Sequence, residues 1–241
     1  MEFLAYSIGF QVYLALTRKF RDVIAPGERW QVIAAAAFGA ALGSRLLGWM
    51  EDPVLAWHAG LVGGKTIVGG LAGGWIAVEA VKAKMGVRVR TGDLLSIPLA
   101  VGIAIGRVGC FLTGLPDDTY GTATSLPWGI DFGDGIRRHP TQLYEIVFLV
   151  LLSIALFKAL KMVATGILQA GDGFRLFIIG YATWRVGIDF LKPEPRWLGM
   201  SVIQWTCVAG LAYCAKDAAR IVAAYARSVR LAGNQASNSG V

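Results

Sequence analysis

Charge is scarce in this sequence. Of its 241 residues only 16 are aspartate or glutamate and 23 lysine or arginine, whereas 55% are hydrophobic. That balance excludes a water-soluble globule, whose surface needs far more polar side chains. Histidine and cysteine are rarer still, at two and three. Cys110, Cys207 and Cys214 sit in or beside apolar runs, which argues against a disulfide framework. Two histidines with no cysteine or carboxylate partners at ligand spacing argue against a metal site, and no cofactor is expected. The excess of seven positive charges could suggest nucleic acid, yet the basic residues are split among short segments and form no single patch. Nucleic acid is therefore excluded as a partner.

Long apolar runs are what the chain has in plenty. They cover roughly Phe3 to Thr17, Trp30 to Met50, Val54 to Val81, Leu94 to Leu112, Leu143 to Leu160, Phe174 to Leu191 and Met200 to Cys214. A helix rises 1.5 Å per residue, so runs of this length suit a hydrocarbon core about 30 Å thick. The expected fold is all-α, a polytopic membrane protein of seven transmembrane helices. The first run lacks a basic leader and a small-residue cleavage site, so it reads as a retained helix and not a signal peptide.

Basic clusters follow the first, third, fifth and seventh runs. The positive-inside bias then puts the N-terminus outside and the C-terminus in the cytoplasm. It also places the Thr113 to Pro140 loop on the outer face. Residues 1–214 are expected to form the transmembrane domain and 215–241 a basic cytoplasmic tail, partly disordered. Arg137, Arg138, Lys192 and Arg196 run against the bias on the outer face, so each should meet an anionic partner there or anchor at lipid headgroups.

Polar groups concentrate between Gly106 and Glu145, flanked by apolar runs where such groups are costly without a task. Arg45, Arg107 and Arg185 each fall inside an expected span. Arg185 has Asp189 four residues on, an i,i+4 pair, but three arginines against so few carboxylates suggest cationic charge left for a phosphate-bearing lipid. His58 and His139 share the outer-face set and could take a proton near neutral pH. The third run carries Gly64-Lys65-Thr66, but position 59 is alanine where a phosphate-binding loop needs glycine, so that motif is rejected. Its glycines at three- and four-residue spacing read as close helix packing.

Gly106-Arg107-Val108-Gly109-Cys110-Phe111 with Gly121, and Arg138-His139-Pro140-Thr141-Gln142-Leu143-Tyr144-Glu145, resemble the two most distinctive segments of the bacterial prolipoprotein diacylglyceryl transferases. The likeness extends to Gly43-Ser44-Arg45, to His58-Ala59-Gly60-Leu61, to Tyr181 through Asp189 and to Gln204-Trp205, so it covers nearly the whole chain. It implies an enzyme of the bacterial inner membrane that passes a diacylglyceryl group from phosphatidylglycerol to a precursor's cysteine thiol, releasing glycerol 1-phosphate. Its implied partners are phosphatidylglycerol, a lipoprotein precursor with its signal peptide and lipobox cysteine, and membrane lipids.

The resemblance implies catalytic roles for His58 as base, for Arg107 and Arg185 at the phosphate, and for Tyr181 and His139. It implies substrate contacts for Arg45, Gly60, Cys110, Asp118, Gly121, Arg138, Gln142, Tyr144, Glu145 and Asp189. Two departures stand out. Cys110 replaces an asparagine, and Thr113 to Asp118 lacks the family's glutamate unless Asp117 or Asp118 supplies the carboxylate. A paralogue with the same donor and another acceptor, or a non-catalytic lipid binder, are the alternative readings.

Overall fold

The computed structural model describes residues 1–20, 26–54, 57 and 64–238. Among them seven α-helices follow one another: α1 Glu2–Lys19, α2 Pro26–Glu51, α3 Ile67–Lys84, α4 Asp93–Thr113, α5 Thr141–Ala164, α6 Asp172–Ile188 and α7 Val202–Asn238. The fold is thus all-α, apart from a two-residue hairpin in the loop before α5. Three stretches, Arg29–Glu51, Asp93–Thr113 and Thr141–Ala164, are long and apolar enough to cross a membrane. Phe3, Phe38, Ile76, Val147 and Leu151 stand well exposed on the helix exteriors. Apolar side chains turned outward in such number suit lipid and not water.

The third helix differs from its expected span. It begins at Ile67, where the Thr66 hydroxyl accepts the Gly69 N–H and caps it. Residues 64–66 are not helical, and Gly64 takes φ +71, a left-handed conformation open to glycine at little cost. Lys65 therefore lies before the helix, exposed, and not within it.

α2 and α3 form a tightly packed pair. A methyl group added at Gly43 would meet the Gly69 carbonyl oxygen at 2.4 Å, and one added at Gly73 would meet the Gly39 oxygen at 2.3 Å. Ser44 Oγ donates to the Thr66 carbonyl at 2.8 Å and fixes the register of the two helices. This is the small-residue packing that brings membrane helices backbone to backbone.

α4, α5, α6 and α7 pack around the main core, where Ala100, Leu149, Leu156, Phe177 and Cys214 are buried. α1 lies along α4, with Gly9 seated against the Pro98 carbonyl. At one end of the bundle, Asp93 accepts the Gly171, Gly173 and Phe174 N–H groups and so caps α6 from α4. Beside it Arg220 grips Asp172, and Asp217 gathers Arg90, Arg175 and Arg220. α7 runs through position 214 without a break, so its basic C-terminal half continues the bundle's own helix.

The Gly43→Ala variant should expose how tight the α2–α3 contact is. Its Cβ would press on a backbone carbonyl that cannot swing aside, so a loss of about 1–3 kcal/mol is expected. A lower thermal midpoint of the solubilised protein is the readout, and an unchanged midpoint would refute the packing argument.

Candidate functional site

The end of the bundle opposite Asp93 holds a second polar cluster. Arg107 comes from the last turns of α4, 14 residues beyond Asp93 and therefore about 21 Å along the helix. It is buried, and its Nε lies 2.8 Å from Glu145 Oε2 in α5. The Tyr181 hydroxyl of α6 donates to the other Glu145 oxygen at 2.7 Å. One turn further along α6, Arg185 donates through Nε and Nη2 to Asp189 Oδ2 at 3.1 and 2.9 Å. Lys192 Nζ stands 3.7 Å from Asp189 Oδ1 and from Glu194 Oε1. Three helices thus deliver alternating charge to one buried cluster.

The i,i+4 pair expected of Arg185 and Asp189 forms, and the cationic charge expected to be left over at Arg107 is balanced within the chain. Glu145, 38 positions away in sequence, neutralises Arg107, and Asp189 neutralises Arg185. An unpaired guanidinium in this apolar interior would be far costlier than the pair. Arg45 differs: its Nη1 is buried with no hydrogen-bond partner among the described residues.

A cavity of about 1210 Å³ runs beside the cluster. Its walls are α1 from Met1 to Phe20 and α4 from Asp93 to Thr113, with part of α2. Arg107, Cys110 and Asp117 line it near one end, while Lys19 and Arg29 line it near the other. Arg107 Nη1 approaches Cys110 Sγ at 4.0 Å. The space is mostly apolar along its length with charged side chains toward both ends, Arg107 at one and Lys19 and Arg29 at the other, which suits an acyl chain carrying an anionic head.

The loop from Gly114 to Pro140 covers the cluster. Thr141 Oγ1 donates to the Thr119 carbonyl, and Thr122 N–H to the Leu191 carbonyl, each at 2.7 Å. Gly121 packs so closely on His139 and Leu191 that an added methyl would lie within 2.8 Å of both. Of the two acids here, Asp117 lines the cavity and accepts from the Thr119 hydroxyl. Asp118, at φ +50, turns toward the Tyr120 hydroxyl.

The four basic residues expected on the outer face find partners within the chain. Arg138 grips both oxygens of Asp134 at 2.7 Å and holds that carboxyl down at about 2. The pair's contribution is full above the ordinary value of 3.8 and is lost as the pH falls through about 2. Arg137 donates to the Gly129 and Pro127 carbonyls, and Arg196 to that of Phe190.

Of the expected site residues, the structure brings Arg107, Glu145, Tyr181, Arg185 and Asp189 together, with Cys110 at their edge. Gln142 lies one turn before Glu145 on α5, fully buried. His139 and Tyr144 form a separate group with the loop before α5: the Tyr144 hydroxyl accepts from Trp128 Nε1 at 2.8 Å and contacts His139 Nδ1 at 3.3 Å. Gly121 and Arg138 belong to that loop. His58 and Gly60 lie outside the described residues. Asp117 and Lys192 were not among the expected site residues. Asp117 was one of two candidates for the missing carboxylate, and Lys192 was marked only by its charge on the wrong face.

These features define a helical membrane protein with a lipid-sized cavity that ends at a buried arginine. The chain belongs to the prolipoprotein diacylglyceryl transferase family, whose model matches residues 3–216. It is 35% identical over 180 residues to the phosphatidylglycerol–prolipoprotein diacylglyceryl transferase of Geobacter sulfurreducens, covering 70% of this chain and 66% of that protein. With the proteins of the same name from Methylococcus capsulatus and Nitratidesulfovibrio vulgaris strain Miyazaki F it shares 28% over 225 residues and 32% over 205. Those matches cover 84% and 77% of this chain and 80% and 74% of the relatives. No solved structure matches the chain.

Removing the acid that holds Arg107 tests the cluster as a structural unit. Glu145→Ala leaves a buried guanidinium and a buried phenol unpaired, for an expected loss of about 3–5 kcal/mol. Denaturant or thermal unfolding measures it, and a loss below 1 kcal/mol would mean that water reaches Arg107.

Proposed function

We propose that this protein transfers a diacylglyceryl group from phosphatidylglycerol to the cysteine thiol of a lipoprotein precursor, releasing glycerol 1-phosphate. The observation that carries this reading is Arg107. It is held at Nε by Glu145, its Nη1 edge reaches Cys110, and the residue lines an apolar cavity of about 1210 Å³. The acyl chains would lie along α1 and α4, with the phosphate at Arg107.

In the reaction the thiol sulfur attacks the terminal glycerol carbon of the diacylglyceryl group. The carbon–sulfur bond forms as the bond from that carbon to the phosphate ester oxygen breaks. The electron pair leaves with the glycerol phosphate, and the thiol proton goes to a base. Arg107 offers a planar fork suited to the phosphate oxygens as charge grows on the leaving group. Arg185 does not line the cavity. It supports the charge from behind, through Asp189, Lys192 and the Glu145 carboxylate.

The base is His58, as the family resemblance suggests, with His139 the other candidate. His139 is held instead in the outer loop group with Tyr144. Asp117 stands beside Cys110 in the cavity wall and takes the place of the family's glutamate, and Asp118 remains nearer the loop surface. Arg45, Gly60, Gly121, Arg138, Gln142 and Tyr144 shape the substrate surfaces. In this reading all seven helices cross the bacterial inner membrane, with the N-terminus outside and the C-terminus cytoplasmic. The acceptor is then the lipobox cysteine that follows a precursor's signal peptide.

The test is complementation in cells depleted of their own transferase, following diacylglyceryl addition to a reporter precursor by mass spectrometry. Wild-type protein should modify the reporter. Arg107→Ala should lower the rate by about 10²–10³-fold, and Arg107→Lys should recover little, because a point charge replaces the fork. Membrane levels must match wild type for the comparison to count. Full activity in Arg107→Ala would remove Arg107 from the mechanism.

A further inference from the structure

Gln142 has no task in the structure as it stands. It is 1% exposed, and neither its Oε1 nor its Nε2 has a hydrogen-bond partner among the described residues. A buried amide atom without a partner costs about 1–3 kcal/mol. An orphaned donor and an orphaned acceptor on one side chain together call for an occupant.

Its position says where that occupant comes from. Gln142 lies three residues before Glu145, which places the two on neighbouring positions of one α5 face. Glu145 holds Arg107, so the amide sits one helical turn from the carboxylate that pairs with the cluster's arginine. The segment that roofs this turn is bonded to it through Thr141 and the Thr119 carbonyl, and two residues earlier its Asp117 lines the cavity. Gln142 does not itself line the cavity, so a headgroup held at Arg107 would reach the amide by passing beneath this segment.

The chemistry of the amide narrows the class of group it takes. Phosphate and ester oxygens accept only, and an ammonium donates only. A hydroxyl does both, so one hydroxyl can answer Nε2 and Oε1 together. We propose that Gln142 is a specificity-determining residue that reads a free hydroxyl on the headgroup of the phospholipid bound at Arg107. The inference rests on the reading of the site as one for phosphatidylglycerol. It adds how that lipid is told from others of equal charge.

The experiment compares dioleoyl phosphatidylglycerol with dioleoyl phosphatidylethanol, which keeps the phosphate and lacks the headgroup hydroxyls. Binding is measured by native mass spectrometry of the purified full chain, and donor use by transfer to a precursor peptide. Wild type should favour phosphatidylglycerol by about tenfold or more, since a site built to bond a hydroxyl discriminates against the analogue without it. Gln142→Leu and Gln142→Met should bring that ratio near one. Their lipid-free unfolding midpoints should be no lower than wild type, because two unpartnered buried atoms are removed.

A retained preference in both variants overturns the proposal, as does no preference in wild type. Equal weakening toward both lipids assigns the residue to packing and overturns it too. A fall of several degrees in the lipid-free midpoint would mean that the amide is bonded within the protein, to a fixed water for example, and would also overturn it. Should transfer fail with every precursor while the binding preference appears and vanishes with Gln142, the inference stands and the transferase reading falls. Should transfer proceed with the lipid preference unaltered in the variants, the reading stands and the inference falls.

Discussion

The structure depends on keeping the Arg107 guanidinium charged inside an apolar bundle. An isolated charge there is so unfavourable that the fold must bring it a carboxylate and satisfy that carboxylate in turn. Glu145 supplies the charge, and the Tyr181 hydroxyl satisfies its second oxygen. Because Arg107, Glu145 and Tyr181 come from α4, α5 and α6, this one requirement fixes the relative height of three helices. The stacking of Phe177 on Tyr181, at 6.0 Å between ring centres, carries the restraint one turn further into the core.

A second polar centre sets the other end. Asp93 reaches from α4 to the first N–H groups of α6, where a helix N-terminus favours an acceptor with negative charge. Asp172 and Asp217 then tie α6, α7 and the segment before α4 together through Arg220, Arg175 and Arg90. On α6 the two centres are 13 residues apart, from Asp172 to Arg185, about 20 Å. Between them lie Leu149, Leu156, Phe177 and Ala100, all buried. The chain's scarce charges are thus spent at two levels and withheld from the layer between them. That distribution is what a membrane interior selects.

The sequence made part of this legible. The polar segments around Arg107 and from Arg138 to Glu145 were visible as dense function in an apolar chain, and their order matched the family over nearly its full length. The α-helical class followed from composition and run length. What stayed hidden was pairing between helices. Periodicity tells which face of α5 is buried, but nothing local to Glu145 indicates that Arg107 is its partner. The i,i+4 pair of Arg185 with Asp189 was legible, but the charge count left Arg107 apparently unbalanced when Glu145 already matched it. The hairpin of Ile130–Asp131 with Arg137–Arg138 had a signal in Asp131-Phe132-Gly133-Asp134-Gly135, whose first aspartate accepts three successive backbone N–H groups. The start of α3 escaped because the glycines that let it pack on α2 also extend the apolar run past the cap at Thr66.

The two arginines of the buried cluster are held differently, and the difference matters for ligand binding. Arg185 commits Nε and Nη2 to one oxygen of Asp189, and Lys192 stands near that residue's other oxygen. A ligand could claim Arg185 only by displacing an internal carboxylate. Arg107 pairs its Nε with Glu145, while among the described residues its Nη1 approaches the Cys110 sulfur and no stronger acceptor. A phosphate can therefore approach Arg107 without breaking the pair that keeps the guanidinium stable in the apolar interior. The carboxylate that makes the arginine tolerable also turns its fork, and the neighbouring Cys110 thiol is a weak acceptor that competes little for it. The residue that sets the height of three helices also lines the cavity, so the edge paired with Glu145 and the edge near Cys110 serve separate surroundings on a single side chain.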